Sequence, residues 1–273
     1  MEIRTILVNM DVDGYRSALL ASAIKLALQY QASLIGLAAC ELPDPSPGAA
    51  GTMALKEWPS ADRPEVEARL ASLETEYLAL VPAALRAGFI RQLEPLTSAL
   101  LRAARRADLV LLDAPHGARR SLARHVDVAE VLLSAGRPVL IAATGSAEVI
   151  AGKILIGWKD TREARRALAD ALPLLHRATN VVVATLGEGD DVAERISLAE
   201  VVDWLERHGI TARGDVYPAR GGPAESLADL AKWLNADLIV TGAYGHSRFR
   251  EWLLGGMTSD LIAAPTVARL MSN

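Results

Sequence analysis

Short apolar runs alternate with longer amphipathic stretches along most of the chain, and this pattern predicts the secondary structure. The runs are rich in branched side chains, as in ILVNM at 6–10 and DLIV at 237–240, which is typical of buried strands. The longer stretches between them predict helices. Strands that are apolar on both faces and separated by helices indicate a parallel sheet covered on both sides, so the predicted fold class is α/β.

The expected elements follow the same order in both halves of the chain. In the first half, the predicted strands are 6–10, 33–39, 108–114 and 138–143, the predicted helices are 17–29, 65–86, 96–106 and 128–134, and a short segment covers 89–93. In the second half, the predicted strands are 154–158, 180–186, 212–219, 237–240 and 266–271, and the predicted helices are 161–175, 191–208, 224–234 and a last one near 248–254. The pattern therefore predicts two tandem parallel-sheet α/β sandwiches.

An internal duplication supports this organisation. RTILVNMD at 4–11 aligns with GKILIGWKD at 152–160, and ADLVLLDA at 107–114 aligns with ADLIVTGA at 236–243. The first copy carries extra residues between these landmarks. The stretch 42–64 is the expected insertion, because its Pro, Gly and Ser content is typical of a loop.

The duplication divides the chain into two expected domains, 1–145 and 150–273. Small residues over 142–152 form the expected linker between them. The two copies are expected to pack against each other through their last strands, 138–143 and 266–271, as the two chains of a dimer do. The result is an internal pseudo-dimer, and further pairing of whole molecules as a homodimer is left open.

Composition and charge exclude several classes of function. Hydrophobic residues make up 51% of the chain and charged residues 23%, as in an ordinary folded protein. A net charge of −4 without a clustered basic stripe argues against a nucleic-acid partner. Cys40 is the single cysteine, so no internal disulfide framework is possible. No uncharged apolar run is long enough to span a membrane, so a soluble cytoplasmic protein is expected.

A glycine-containing stretch near the end of the chain is the strongest candidate for a ligand loop. TGAYGHSRFREWLLGG, 241–256, follows the predicted strand 237–240, and ligands of open α/β sheets bind where strands end and helices begin. Gly242 and Gly245 let the backbone approach a phosphate, and Gly255 does the same on the other side, so exposed N–H groups form an anion nest. The alternative is that these glycines only let the last helix pack close to the sheet.

Other motifs that bind nucleotides or metals are missing. The dinucleotide fingerprint G-x-G-x-x-G follows neither first strand, and no glycine precedes Lys and then Ser or Thr as a P-loop requires. The five histidines lie far apart, and no H-E-x-x-H or paired-cysteine pattern indicates a metal site. No G-x-S-x-G elbow indicates a hydrolase. The glycine loop therefore remains the main candidate for chemistry.

The spacing Gly242-x2-Gly245-x9-Gly255 resembles the nucleotide loop of universal stress proteins, and the strand and helix order, the duplication and ADLIV before the loop agree with that family. The resemblance covers nearly the whole chain as a tandem two-domain member, with 42–64 as the main departure. It implies an adenine nucleotide alpha hydrolase-like fold with Rossmann-like layering. It also implies that the second domain binds ATP, AMP or another adenine nucleotide, with or without Mg²⁺, and regulates a stress response.

The resemblance assigns the nucleotide contacts to the second copy. In members that hold ATP, an acidic residue follows the first strand and a hydroxyl residue follows the last loop glycine, but these positions here hold Lys159 and Gly256. Asp160 and Thr258 are the nearest replacements. Trp158 has two interpretations, which are stacking on an adenine ring and packing in the core. The expected cofactor-binding residues are Gly242, Gly245, His246, Gly255, Gly256, Met257, Thr258, Trp158 and Lys159.

The first copy departs further from the family pattern. It keeps Asp11 after its first strand, but Asp113 stands at the first glycine position and Pro115 is close by. Only Gly117 remains, one residue out of register. Because Asp113 sets a negative charge against any phosphate, the first copy is expected not to bind a nucleotide.

Two other functions stay open beside nucleotide sensing. One is a nucleotide-independent interaction scaffold, in which the degenerate sites bind another ligand or none. The other is an ATP-hydrolysing enzyme, which is less favoured because only Asp160 and Asp260 stand near the loop as carboxylates for Mg²⁺ or a general base. No catalytic set is found, so the expectation is that the protein is not an enzyme.

Overall fold

Both halves of the chain fold into strands and helices in the expected alternating order. The computed structural model describes residues 2–13, 17–42, 63–114, 125–144, 151–187, 191–219, 221–243 and 266–273. The first half contains strands β1 Thr5–Asn9, β2 Ser33–Ala39, β3 Arg86–Gln92, β4 Leu109–Leu112 and β5 Val139–Ile141, and helices α1 Ser17–Tyr30, α2 Arg63–Leu80, α3 Leu96–Ala104 and α4 Val128–Ser134. The described part of the second half contains strands β6 Lys153–Gly157, β7 Asn180–Leu186, β8 Arg213–Tyr217, β9 Leu238–Gly242 and β10 Ala268–Ser272, and helices α5 Arg162–Leu175, α6 Val192–Arg207 and α7 Pro223–Leu234.

Capping side chains fix where several helices begin. The Thr161 hydroxyl accepts a hydrogen bond from the Ala164 N–H at 3.2 Å, and the Asp127 carboxylate accepts one from the Glu130 N–H at 3.0 Å. Helix α7 ends at Asn235, which adopts the left-handed conformation with φ 52°. These local signals explain why most predicted boundaries agree with the structure.

The predicted helix 65–86 is wrong at both ends. Helix α2 begins two residues earlier, at Arg63, inside the stretch assigned to the insertion, and ends at Leu80. Pro82 lacks the N–H that a helix interior needs and disfavours helical backbone at Val81, so the chain leaves the helix there. A short 3-10 turn follows, and Arg86 already opens strand β3. The segment 89–93 is thus mostly part of an edge strand.

All ten described strands form one continuous sheet. Its order is β3-β2-β1-β4-β5-β10-β9-β6-β7-β8. The pairs within each half are parallel, and the same internal order occurs in both halves, so the predicted α/β class and the repeat of strand order are confirmed. The predicted helix 248–254 and residues 145–150 of the predicted linker 142–152 lie outside the described residues.

The two halves join through their last strands. Strand β10 pairs with β5 in antiparallel orientation, with Leu270 opposite Leu140, Arg269 opposite Ile141 and Met271 opposite Val139. The predicted pseudo-dimer contact is therefore confirmed. Leu140 and Leu270 are fully buried at the centre of this joint. We refer to the β5–β10 pair as the joint.

Helices cover both faces of the sheet. Helices α1, α2, α5 and α6 supply buried side chains to one apolar cluster, and we call the side that they cover the front face. Helices α3, α4 and α7 cover the opposite side, the back face. Successive strand residues point to opposite faces, so each strand contributes to both clusters. The continuous runs of apolar residues in the strands follow from this double coverage.

A buried tyrosine makes the stability of the front face sensitive to high pH. The Tyr77 hydroxyl donates a hydrogen bond of 2.6 Å to the Leu34 carbonyl, and the side chain is fully buried. Desolvation raises the pKa of Tyr77 to about 12, against about 10 in the unfolded chain. The unfolded chain therefore loses the tyrosine proton first as the pH rises, so the contribution of Tyr77 is complete below pH 10 and is lost between about 10 and 12.

We expect Tyr77→Phe to flatten this pH dependence. Near neutral pH the variant is expected to unfold more easily by about 1 kcal/mol, since the hydroxyl hydrogen bond is lost. Above pH 10 the wild-type protein is expected to lose about 2–3 kcal/mol that the variant does not lose. Urea unfolding at several pH values measures both differences. A parallel decline of the two proteins between pH 10 and 12 would contradict the assignment.

Candidate functional site

The second half contains a crevice at the point where its strand order reverses. Strand β6 lies between β7 and β9, and Gly157 at the end of β6 pairs with Thr241 of β9. In open α/β sheets, ligands bind outside the carboxyl ends of the strands at such a point. Trp158 and Lys159 follow β6, and Gly242 ends β9, so the fold brings these three predicted residues to one edge.

The close approach of helix α5 explains why position 242 holds a glycine. A Cβ atom built on Gly242 would lie 2.6 Å from the Ala164 nitrogen and 2.6 Å from the Glu163 carbonyl carbon. Both atoms belong to the backbone in the first turn of helix α5. Gly242 therefore allows close packing of a helix on the strand end, as the alternative interpretation expected, although the helix is α5 and not the last one.

Trp158 is a core residue in this structure. Its side chain is 8% exposed and belongs to the front-face cluster. The indole N–H donates a hydrogen bond of 3.0 Å to the Ser197 hydroxyl on helix α6. The core interpretation of Trp158 therefore agrees with the structure, and stacking on an adenine ring stays a prediction that needs movement of this side chain.

Lys159 and Asp160 form an exposed turn before helix α5. The Lys159 carbonyl accepts a hydrogen bond of 2.7 Å from the Thr161 N–H, which tightens the turn. The Asp160 carboxylate pairs with Arg165, one turn into helix α5. Lys159 is itself exposed at this position, where the family pattern expects an acid.

Glu163 is a residue of this edge that the sequence did not indicate. Its side chain is 12% exposed and forms an ion pair of 3.1 Å with the largely exposed Arg162. The Cβ atom of Glu163 lies 2.9 Å from the position of a Cβ on Gly242, so a carboxylate side chain begins directly beside the end of β9. Acidic residues are common in the first turn of a helix, so the position of Glu163 in the sequence did not indicate a contact with Gly242.

The remaining predicted contacts lie outside the described residues. They are Gly245, His246, Gly255, Gly256, Met257 and Thr258, and Asp260 lies outside as well. Their assignment to a nucleotide stays a prediction. Among the described residues, no group of three or more His, Cys, Asp or Glu side chains is arranged to hold a metal ion.

The equivalent edge of the first half is acidic. Asp11 follows β1, and its carboxylate lies 3.4 Å from His125 Nδ1 and accepts a hydrogen bond from the Asp13 N–H. Asp113 follows β4, and its carboxylate accepts a hydrogen bond from the Ala114 N–H. The two carboxylates stand at the ends of neighbouring strands, and the expectation that this half does not bind phosphate stays a prediction. Pro115 and Gly117 lie outside the described residues.

Comparisons with known proteins point to one family. The sequence profile described as "Universal stress protein family" matches residues 151–268. No curated protein shows a significant sequence match to the chain. None of the helices in the described ranges is long and apolar enough to cross a membrane.

Solved structures of similar fold extend over the whole chain. A universal stress protein from Archaeoglobus fulgidus DSM 4304 has a TM-score of 0.71 and 13% identity, covering 100% of this chain and 97% of its own. A functionally unknown protein from Pseudomonas aeruginosa PAO1 has a TM-score of 0.62 and 18% identity, with coverage of 99% and 92%. A universal stress protein solved in complex with cAMP covers 45% of this chain and 99% of its own, with a TM-score of 0.36 and 21% identity.

The two kinds of comparison agree with the geometry. The full-length structural similarity shows that this chain and a universal stress protein share a fold. The sequence match covers the half that carries the crevice between β6 and β9. Residues 151–268, which make up most of the second half, therefore match the universal stress protein family.

Proposed function

We propose that the protein is a cytoplasmic stress-response regulator whose second half binds an adenine nucleotide, and that it has no catalytic activity of its own. The observation that carries this proposal is the position of Lys159 and Gly242 at the ends of neighbouring strands, in the half that matches the family profile. Strand ends at such a reversal of order are the usual ligand edge of α/β sheets.

Lys159 supplies the attraction for phosphate in this proposal. It is exposed at the start of the crevice, and an ammonium group binds phosphate as a point charge. The loop amides around Gly245 and Gly255 supply the remaining donors. Where a nucleotide arrives with Mg²⁺, Asp160 and Glu163 are the nearby carboxylates of the described chain, and Mg²⁺ binds through one or two carboxylates plus phosphates.

Two observations favour the scaffold function as the second candidate. Glu163 places a carboxylate side chain beside Gly242, which weakens the attraction of this edge for an anion. Trp158 is bonded to Ser197 and buried, so its ring presents no open face to an adenine base. In the scaffold function the second half binds no nucleotide, and the joined halves serve only as an interaction surface.

Nucleotide binding is tested by heat stability and by chemical release. We expect millimolar ATP to raise the Tm of the purified protein, and denatured, cleared protein to release a compound that absorbs like adenine. Gly245→Asp is expected to abolish both effects, because it adds a negative charge in the loop. An unchanged Tm and tryptophan fluorescence with ATP, together with no released adenine, would favour the scaffold.

Lys159→Met is expected to weaken ATP binding by about tenfold. The loss of one charged contact to phosphate costs about 1.5 kcal/mol, which corresponds to that factor in Kd. Lys153→Met is the matched control, because Lys153 is an exposed lysine at the opposite end of the same strand. Titration calorimetry compares the three proteins. Equal Kd values for Lys159→Met and Lys153→Met would show that Lys159 does not contact the phosphates.

A further inference from the structure

The outer edge of the second half is an exposed strand. Strand β8 stands at one end of the ten-stranded order and pairs with β7 alone among the described strands. Its residues Arg213, Gly214 and Asp215 are exposed. The outer side of an edge strand carries backbone N–H and C=O groups that a further strand can use. Strand β8 is therefore a surface on which the sheet can be extended.

Gly214 directs its backbone groups outward at the middle of β8. The Tyr217 carbonyl accepts a hydrogen bond of 3.0 Å from the Gly187 N–H, just after β7, so Tyr217 faces the neighbouring strand. Alternate residues of a strand direct their backbone groups to the same side, so Asp215 also faces β7, whereas Gly214 and Val216 face outward. In agreement with this, the Val216 N–H donates to the Asp215 carboxylate, at 2.9 Å, rather than to a strand.

The charges of β8 are arranged symmetrically around Gly214. Arg213 precedes it and Asp215 follows it, and both point to the back face, because their partners Val182 and Ala184 belong to the back-face cluster. When a second copy of β8 is placed antiparallel with Gly214 opposite Gly214, each Arg213 stands opposite the Asp215 of the other strand. The two glycines exchange both backbone hydrogen bonds, and opposite charges at facing positions stabilise such a pair. The edge is thus complementary to itself.

Helix α6 has the same symmetry on the front face. A Cβ atom on Gly214 would lie 2.9 Å from the Val202 side chain, so the middle of α6 packs over this glycine. The groove between α6 and β8 is lined near its middle by Ala199 and Val202, and it is lined further out by Arg195 on one side and Glu206 on the other. A basic and an acidic residue therefore lie at similar distances from Gly214, in opposite directions along the helix.

A twofold axis through the Gly214 pair places α6 antiparallel to its own copy. Because α6 packs on both β7 and β8, the strand spacing sets the two helix axes about 10 Å apart, which is the distance of directly packed helices. Ala199 of one helix then faces Val202 of the other, and Arg195 faces Glu206. The contact has an apolar centre between the helices, with one pair of opposite charges on either side of it.

We propose that the whole protein forms a symmetric dimer with a second copy of itself through β8 and α6, so that the two ten-stranded sheets become one. On pairing, the Asp215 carboxylate releases the Val216 N–H to the Ala212 carbonyl of the second copy and turns to Arg213 of that copy. No backbone hydrogen bond is lost in this exchange. The contact uses the same patch on both molecules, so assembly closes at two copies.

The opposite edge of the sheet is unsuited to the same pairing. The β2–β3 register shifts between Leu34 and Ile35, and Gly88 of β3 has a φ of 136°. Irregularities of this kind twist an edge strand away from further pairing. Strand β3 also carries Arg86 and Arg91 but no acidic residue, so two copies of it offer no opposite charges to each other. The β8 edge is therefore the one assigned to the dimer.

Sedimentation equilibrium of the full chain tests the proposal. The whole chain is used because its β10 is already paired with β5. At micromolar concentration the protein is expected to show the mass of a dimer. Arg195→Glu is expected to weaken the dimer by about tenfold, since it turns two attractive charge pairs of the dimer into repulsive ones. The double variant Arg195→Glu/Glu206→Arg is expected to restore the wild-type Kd, because the exchanged charges still meet across the axis.

The strand register has its own pair of variants. Asp215→Arg sets two arginines opposite each other and is expected to weaken the dimer by about tenfold. Combination with Arg213→Asp is expected to restore the wild-type Kd. Arg63→Glu is the matched control, because Arg63 is a largely exposed arginine that pairs with Glu67 on α2 of the first half, and its Kd is expected to stay unchanged. Circular dichroism confirms that each variant is folded.

Three results overturn the proposal. One is a wild-type protein that stays monomeric at all micromolar concentrations. Another is a dimer whose Kd changes neither in Arg195→Glu nor in Asp215→Arg, since assembly then uses another surface, such as the exposed Trp233 of α7. The third is a folded double variant that dimerises no better than its single variant, because the proposed residues then do not face each other.

Discussion

Gly242→Ala is expected to lower the free energy of unfolding by about 2–3 kcal/mol, although it adds only one methyl group. The new Cβ atom would stand 2.6 Å from two backbone atoms of helix α5, the Ala164 nitrogen and the Glu163 carbonyl carbon. A backbone atom in a helical turn cannot rotate away as the end of a side chain does. Either helix α5 shifts away from β9 or the strand end moves. Urea unfolding monitored by circular dichroism measures the loss.

Gly157→Ala is the matched control for this prediction. Gly157 ends the neighbouring strand β6, and the atoms nearest to a Cβ there would be side-chain methyl groups of Leu227 and Thr241, at 3.0 Å. Those groups can rotate, so the loss is expected to stay below about 1 kcal/mol. Equal losses in the two variants would show that helix α5 does not constrain Gly242. A stable Gly242→Ala protein that no longer binds ATP would assign Gly242 to the ligand instead.

Most of the fold follows from patterns that act over short distances. The strands β2 and β7 and the helix α4 begin and end at the predicted residues, because apolar runs and capping residues fix them locally. The joint was predictable because the duplication pointed to two equivalent last strands. Helix α2 was predicted too long, since its apolar periodicity continues beyond Leu80 while Pro82 stops the helix.

The candidate site was harder to predict from the sequence, because it depends on which helices and strands pack against each other. The loop spacing pointed to Gly242, but the approach of helix α5 to β9, which brings Glu163 to that glycine, is a tertiary contact without a sequence signal. Trp158 follows a strand end as a ligand residue would, yet its ring packs toward helix α6. Arg269 can be recognised as unusual from the sequence, because the equivalent position in the first half holds the apolar residue Val139.

The two halves have therefore diverged in charge while keeping one topology. At the switch point of the first half, Asp11 and Asp113 place two carboxylates at adjacent strand ends. At that of the second half, Lys159 adds a positive charge, and Asp160 is already paired with Arg165. The Glu163 carboxylate beside Gly242 offsets part of that positive charge, and Arg269 adds a separate positive charge to the back face. The two halves thus share one strand order but differ in the charges at their strand ends.

The isolated second half, residues 150–273, is expected to form a dimer through strand β10. Separation from the first half turns β10 into an edge strand and exposes Leu270 and Met271, which are fully buried in the whole chain. An exposed apolar edge strand readily pairs with another copy. The antiparallel register of the joint places Leu270 opposite itself in such a dimer. Sedimentation equilibrium measures the association, and circular dichroism confirms that the fragment is folded.

Arg269 makes this prediction sharper. In the fragment dimer two copies of Arg269 face the same side of the sheet across the symmetry axis, whereas in the whole chain one of these positions is Val139. Two buried like charges oppose association, so Arg269→Met is expected to tighten the dimer by about tenfold, or about 1.4 kcal/mol. Arg207→Met, on helix α6, is expected to leave the association unchanged. The contrary result is that the wild-type fragment and its Arg269→Met variant both prove to be folded monomers. That result would show that the pairing of β10 with β5 depends on the first half, and it would contradict the view of the whole chain as an internal pseudo-dimer.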